Sequence, residues 1–411
     1  MSRAAFREIV VTGAGVCCHM GDDWPEIEHA LRTGRPKPFT RWPPAVEHGT
    51  LCELIGLYTL ELRPESLGID RRQARFMGRA ALLALRAARL ALAQAGRSPR
   101  DLALVVGSGT GDVETHREVG ARLAEHRGAR RVSPSAIPRL MASTVSANLA
   151  AVLETTGPSF SATAACAGGA YNLLLAAELI AGGHAPAALA GGVEVADIHF
   201  HAGFDAMRAY NGLDNERPER ASRPYAADRA GFVFSEGAGL VVLESRADAE
   251  ARGAPILGSL RGYGMSSDGT GQMVVPSAEG AELAMRRALD HAGLSPGDVD
   301  YVNTHATSTP AGDVSEVKAM RRVFDGRRVA YSSTKGYTGH PVSAAGAIEA
   351  VFTLAMMRGG WVAPCVHAEP LDPELVDYPP VVAPEARDMS LALSNSFGFG
   401  GTNVTLVLGR S

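Results

Sequence analysis

Cysteine is too sparse and too scattered in this chain to form a disulfide framework. The five cysteines are odd in number and show no Cys-x-x-Cys and no Cys/His spacing of the zinc-binding kind. No charged-then-apolar leader is read at the start, so a reducing cytoplasm is the expected compartment. No apolar run approaches the roughly 18 residues that a spanning helix needs, and no membrane is expected as a partner. An excess of one charge is missing too. Forty Lys and Arg against 44 Asp and Glu leave a net charge of −4, which gives no global reason to expect nucleic acid. Low-complexity tracts and residue-level repeats are also absent. What remains is an ordinary globular composition over 411 residues, enough for two domains or one large duplicated unit.

Short apolar strands alternate with longer helices along the chain. Glu8–Val11 reads as a buried strand running into a TGAG turn, and Asp70–Gly96 as one long Ala/Leu-rich helix. Leu102–Val106 reads as a strand entering the glycine-rich GSGTGD, with further strands at Ala187–Val195 and Leu240–Glu244. After a polar stretch at Asp248–Ile256 a similar pattern restarts. It has strands at Ile256–Tyr263, Asp300–Asn303 and Val329–Ser332, and helices at Gly280–Gly293 and Ala344–Arg358. Met389–Ser394 and Val404–Leu408 read as a closing hairpin. This alternation implies an α/β protein with helices on both faces of a sheet. The repeated element order suggests two halves, 1–254 and 255–411.

Four segments carry chemistry. Cys166 stands in SATAACAGGAYNLLL, where a small-residue turn meets an apolar helix. A thiol at a first helical turn feels unsatisfied N–H groups and the positive end of the dipole, which favours thiolate. Its small neighbours Ala165, Ala167 and Gly168 leave room for a substrate. In YVNTHATSTPAGDVSE a strand delivers His305 to its C-terminal end, where open α/β sheets place ligands. Thr307 and Thr309 add hydroxyls suited to a polar, extended ligand, and Asp313 and Glu316 follow one turn apart.

In STKGYTGHPVSAAGA, His340 precedes a helix whose first turns are small, so another element packs close. Lys335, in an apolar and glycine-rich setting, calls for a carboxylate partner such as Glu316 or Glu349. SNSFGFGGTN interleaves three glycines with Phe397 and Phe399. It reads either as a tight turn or as a source of backbone N–H groups for an oxyanion, with the rings as a movable lid. One thiol and two imidazoles make a nucleophile with hydrogen-bond donors for a developing enolate or oxyanion. TGAGVCCHMG imitates a dinucleotide fingerprint, but Cys18 occupies the third glycine position. A zinc site from Cys166, His305 and His340 would lack a short-spaced ligand pair, so no metal is expected.

VVTGAG, SATAACAGGA, SRPYAADRAGFVFSEGAGLVVLE, THATSTPAGD, STKGYTGHPVSAAGA and SNSFGFGGTN stand in the order of one family's motifs. On these the chain resembles the β-ketoacyl-[acyl carrier protein] synthases over nearly its whole length. HAGFDAMRAYNGLDNERPERASRPY looks most like the type I synthase of fatty-acid elongation. The resemblance implies a duplicated thiolase-like α/β/α/β/α sandwich and a homodimer, with a heterodimer of related subunits as the alternative. It also implies acyl carrier protein as partner, and no resident cofactor, because phosphopantetheine arrives on the carrier.

By the same resemblance, Cys166 takes the acyl chain, and the backbone N–H groups of Cys166 and Phe399 form the oxyanion hole. His305 and His340 stabilise the enolate left when malonyl-carrier-protein loses carbon dioxide. Lys335 and Glu316 form a buried pair, Thr307, Thr309 and Phe397 meet the phosphopantetheine arm, and Phe399 gates the site. Thr110 falls where acyl-pocket residues lie, and Met141 reaches the partner subunit's pocket. Arg72, Arg75, Arg127 and Arg130 dock the acidic carrier. Two positions depart from the family pattern: Ala306 replaces the glycine of THGT, and Ser235 stands where glycine is frequent.

Related proteins of other function fit less well. A chain-length factor replaces the active cysteine, a thiolase needs a second cysteine in the C-terminal glycine loop, and a starter-unit synthase carries Asn in place of His340. A ketosynthase of a specialised polyketide or polyene pathway would share every motif, and a non-catalytic homologue would keep the fold alone.

Overall fold

The computed structural model describes residues 8–126, 128–274 and 276–411. Its main sheet has ten strands. They are Ile9–Cys18 (β1), Ala103–Ser108 (β2), Ser159–Phe160 (β3), Ala187–Glu194 (β4) and Gly237–Ser245 (β5), then Gly258–Ser267 (β6), Tyr301–Asn303 (β7), Ala330–Ser332 (β8), Leu391–Gly398 (β9) and Thr402–Gly409 (β10). Six longer helices pack on them: Arg79–Ala95 (α1), Thr144–Leu153 (α2), Gly168–Ala181 (α3), Ala278–Ala292 (α4), Pro310–Val323 (α5) and Ala345–Gly359 (α6).

The strand order is β8-β7-β9-β10-β6-β1-β5-β4-β2-β3. Read outward from its centre, each half repeats the other. β2 pairs in parallel with β3 and β4, β4 is antiparallel to β5, and β5 to β1. In the same way β7 pairs in parallel with β8 and β9, β9 is antiparallel to β10, and β10 to β6. β1 and β6 join the two sets, with Val11 opposite Gly258. The helices follow suit: α1, α2 and α3 occupy the same places in the chain order as α4, α5 and α6.

α3 and α6 pack on each other, and each touches strands of both sets, so they form a middle layer. That position explains their composition. A helix enclosed on all sides has no need of a polar face, and both are apolar nearly all round. The segment Val342–Gly359 is long and apolar enough to cross a membrane, unlike the expectation from apolar runs, but 83% of it is buried inside the protein. α1 and α2 cover one outer face and α4 and α5 the other, which completes the expected α/β/α/β/α layering.

Two local expectations differ from the structure. TGAG does not turn; it lies within β1, which runs through to Cys18. A Cβ on Gly13 would lie 2.1 Å from the Ala91 carbonyl oxygen, and one on Gly15 2.0 Å from that of Ala87. These glycines therefore serve close strand–helix approach. The Asp70–Gly96 helix is broken in two: a short turn at Arg71–Ala74, capped by Asp70, precedes α1, which starts after Gly78.

Candidate active site

The middle layer brings the site together. Gly168, Gly169 and Ala170 at the start of α3 meet Ser343, Gly346 and Ala347 at the start of α6. A Cβ on Gly169 would come within 2.7 Å of the Ser343 carbonyl oxygen. The small residues after Cys166 therefore admit the other helix, rather than only opening space for a substrate. Cys166 precedes α3, follows Ala165 at φ 45°, and is 6% exposed. His340 precedes α6 and follows Gly339, whose φ of 69° and close approach to the Val233 carbonyl favour glycine. Its backbone N–H donates to Val233 O at 2.8 Å. His305 follows β7, from the second strand set.

Cys166, His305 and His340 each place one sulfur or ring nitrogen within 4.8 Å of the others. The two imidazoles stand edge to face, 5.4 Å apart at 83°. They open onto a cavity of about 360 Å³ that Thr307, Thr309, Phe397 and Phe399 also line. The Thr307 and Thr309 hydroxyls lie 3.1 Å apart, and Phe397 sits 5.9 Å from the His305 ring. The β9–β10 tip comes against the Cys166 backbone: a Cβ on Gly398 would lie 3.2 Å from the Cys166 nitrogen. Phe399 packs 5.8 Å from Phe204, another cavity residue the sequence reading missed.

Electrostatics differ from the expected thiolate. Burial pushes the Cys166 thiol up to about 12, against the Lys335 charge and the backbone N–H groups of Phe399 and Cys166 itself, which draw it down. The helix-start setting does not outweigh desolvation. Burial and then the Lys335 charge hold both imidazoles well below the ordinary histidine value. Both rings are therefore neutral near pH 7, each with one N–H and one bare nitrogen.

The expected Lys335–Glu316 pair is corrected. The Lys335 ammonium, fully buried, donates to Glu349. Glu316 instead accepts from the backbone N–H groups of His305 and Ala306, each at 2.9 Å, and from the Asn395 amide at 2.9 Å. A strand-end loop offers two consecutive free N–H groups, which a carboxylate on the next helix satisfies. Burial raises both Glu316 and Glu349 to about 7. Ala306 adopts no positive φ, so its Cβ is accommodated in the ordinary backbone region.

Thr110 does not line the cavity at Cys166 within this chain; its hydroxyl donates at 2.9 Å to Glu194, a buried carboxylate that also accepts from Ser108 and Gly109. Met141 is half-buried after the short helix Ala136–Leu140 and does not line that cavity within this chain. Arg72, Arg75 and Arg130 are exposed, whereas Arg127 lies outside the described residues. Sequence reasoning missed Glu194, which accepts only from hydroxyl and backbone N–H groups, and Asn395, which bridges the Thr405 hydroxyl and the Glu316 carboxylate. Asn395, a polar residue inside a strand, offered a signal.

The paired strand sets, the enclosed helix pair and the thiol between them define a thiolase-like condensing-enzyme fold. Residues 6–249 match the family model for the beta-ketoacyl synthase N-terminal domain, and residues 257–369 that for the C-terminal domain. The chain belongs to the beta-ketoacyl synthase family. It is 39% identical to 3-oxoacyl-[acyl-carrier-protein] synthase 1 of Haemophilus influenzae, across 98% of this chain and 99% of that protein. A beta-ketoacyl synthase from Burkholderia phymatum STM815 superposes with a TM-score of 0.93 at 34% identity, covering 98% of this chain and all of the other. A ketosynthase solved in complex with its type II polyketide acyl-carrier protein gives 0.87 at 25% identity, covering 98% and 99%.

Proposed function

We propose that this protein is an acyltransferase that extends an acyl chain by two carbons, by decarboxylative Claisen condensation with malonyl-acyl carrier protein in fatty-acid elongation. The observation that carries this reading is the meeting of Cys166, His305 and His340 at one cavity in a beta-ketoacyl synthase chain. The Cys166 sulfur attacks the thioester of an acyl-carrier-protein, forming an acyl-enzyme thioester and releasing the carrier's phosphopantetheine thiol. The N–H groups of Cys166 and Phe399 stabilise the tetrahedral oxyanion; one such donor is typically worth ~3 kcal/mol.

Malonyl-carrier-protein then enters past Thr307, Thr309 and Phe397. Its carboxylate leaves as carbon dioxide, and neutral His305 and His340 donate hydrogen bonds to the enolate oxygen. The carbanion attacks the acyl-cysteine, giving the β-ketoacyl product and freeing Cys166. Neutral imidazoles suit donation to an oxyanion without first losing a proton. Lys335, paired with Glu349, fixes the charge balance around the three groups, and Phe399 on the glycine-rich tip gates the cavity. No resident cofactor enters this scheme, because the phosphopantetheine comes with the carrier.

The solved carrier–ketosynthase complex supports acyl carrier protein as partner. Exposed Arg72, Arg75 and Arg130 offer positive charge to an acidic carrier, whose docking they would speed more than tighten. A homodimer is supported by β3: it ends the sheet with β2 as its partner, its Ser159 and Phe160 are exposed, and a bare strand edge pairs readily with a second copy. The cytoplasm is the compartment where such carriers are met.

The test is intact mass after incubation with a panel of acyl-carrier-proteins, followed by malonyl-carrier-protein, with Cys166→Ala as control. A mass gain that the control lacks, followed by release of a product two carbons longer, supports the reading. Acceptance of polyketide chains alone would move it to a specialised pathway. A stoichiometric bound zinc ion, with no acylation, would replace it with a metal site at the same three side chains.

A further inference from the structure

β9 runs parallel to β7 with Ser394 opposite Asn303, so the next residue, Asn395, comes alongside the segment that leaves β7 toward His305. Across the hairpin, Asn395 stands directly opposite Thr405 of β10. Both side chains are fully buried. The Thr405 hydroxyl donates to Asn395 Oδ1 at 2.8 Å, which turns the amide nitrogen toward Glu316. That nitrogen donates to Glu316 Oε1 at 2.9 Å, and Glu316 in turn holds the N–H groups of His305 and Ala306. A chain of four hydrogen-bonded groups thus runs from β10 to the backbone of one histidine. Its direction is fixed, because a threonine hydroxyl that donates leaves the amide only its N–H₂ side for the carboxylate.

We propose that Asn395 and Thr405 are positioning residues for His305 that act through Glu316. The proposal rests on the reading above that His305 serves the malonyl half of the reaction. Glu316 accepts best from both backbone N–H groups and the Asn395 amide while ionised, because a protonated carboxyl gives up acceptor capacity to an O–H that has no acceptor among these three donors. The groups around it pull both ways. Lys335, after β8, favours its charge, whereas Asp313 on α5, Tyr225 on the connection before β5 and Tyr331 on β8 add no positive charge. Burial pushes Glu316 up to about 7 even though the Asn395 amide, the His305 and Ala306 N–H groups and the Lys335 charge draw it down, and the amide is the largest of these opposing groups. Losing that donor moves the carboxyl up, and the His305 loop loses its anchor as pH falls.

Thr405→Val is the variant of choice, because it keeps shape and removes only the hydroxyl. Acylation of Cys166 by octanoyl-carrier-protein, read by intact mass, is expected to stay within about twofold of the parent. Condensation with malonyl-carrier-protein at pH 6.5 is expected to fall about fivefold to tenfold, the size of one buried hydrogen bond. The acid limb of its pH profile should move up by roughly one unit, the shift that matches such a loss, so that activity recovers by about pH 8.5. Thr405→Ser should restore the parent profile, and Asn395→Ala should exceed the effect of Thr405→Val. A Thr405→Val profile that superposes on the parent would overturn the proposal, as would equal losses in acylation and condensation. A parent protein that takes no acyl group would instead remove the functional reading on which it rests.

Discussion

Cys166 and His340 occupy equivalent places in the two halves of the chain. Each follows the third strand of its set, β3 or β8, and stands just before the middle-layer helix, α3 or α6. Because those helices pack on each other, the pseudo-symmetry that duplicates the fold also brings the nucleophile to its imidazole. His305 comes from another point of the second set, after β7. Its equivalent in the first set is the end of β2 and the loop after it, where Ser108, Gly109 and Thr110 bind Glu194.

The buried thiol sets a measurable pH dependence. At about 12, its thiolate fraction near pH 8 is on the order of 10⁻⁴. Alkylation of free Cys166 by iodoacetamide should climb about tenfold per pH unit from roughly pH 7 to 9, with no plateau. Intact mass against Cys166→Ala isolates the site from the four other buried cysteines. A plateau below about pH 9 would show a thiol already ionised in the resting protein.

Lys335 and Glu349 form a buried ion pair, and removing one partner strands the other's charge. Lys335→Met should cost about 3–5 kcal/mol in urea unfolding, and Lys335→Met combined with Glu349→Leu should recover most of it. A single-variant loss under about 1 kcal/mol would mean that the pair does not carry its charge in the folded protein.

The Thr110 hydroxyl is committed to Glu194. Thr110→Val should lower stability by about 1 kcal/mol, one lost hydrogen bond, and leave the acyl-chain preference unmoved. Competition among acyl-carrier-proteins of different length reads this directly. A shifted preference would return Thr110 to the acyl pocket.

The strands and helices were largely legible because alternating short apolar runs and longer apolar stripes are local signals. Cys166, His305 and His340 were legible for the same reason, since each lies at an element's end within a run of small or hydroxyl residues. TGAG misled because glycine serves tight turns and close helix packing equally well, and only the neighbouring α1 distinguishes them. The partner of Lys335 was open between two carboxylates because both lie on helices reachable from the same loop.

By itself the sequence determined the α/β class, the repeated element order and the identities of the thiol and imidazoles, all of which are properties of neighbouring residues. Tertiary structure decided which groups meet and in what charge state. Lys335 pairs with Glu349 rather than Glu316, Thr110 turns to Glu194, and Asn395 reaches Glu316 through a strand register no local pattern encodes. The thiol stands near 12 instead of being lowered because desolvation depends on everything packed around the sulfur, and that exists only once the chain has folded.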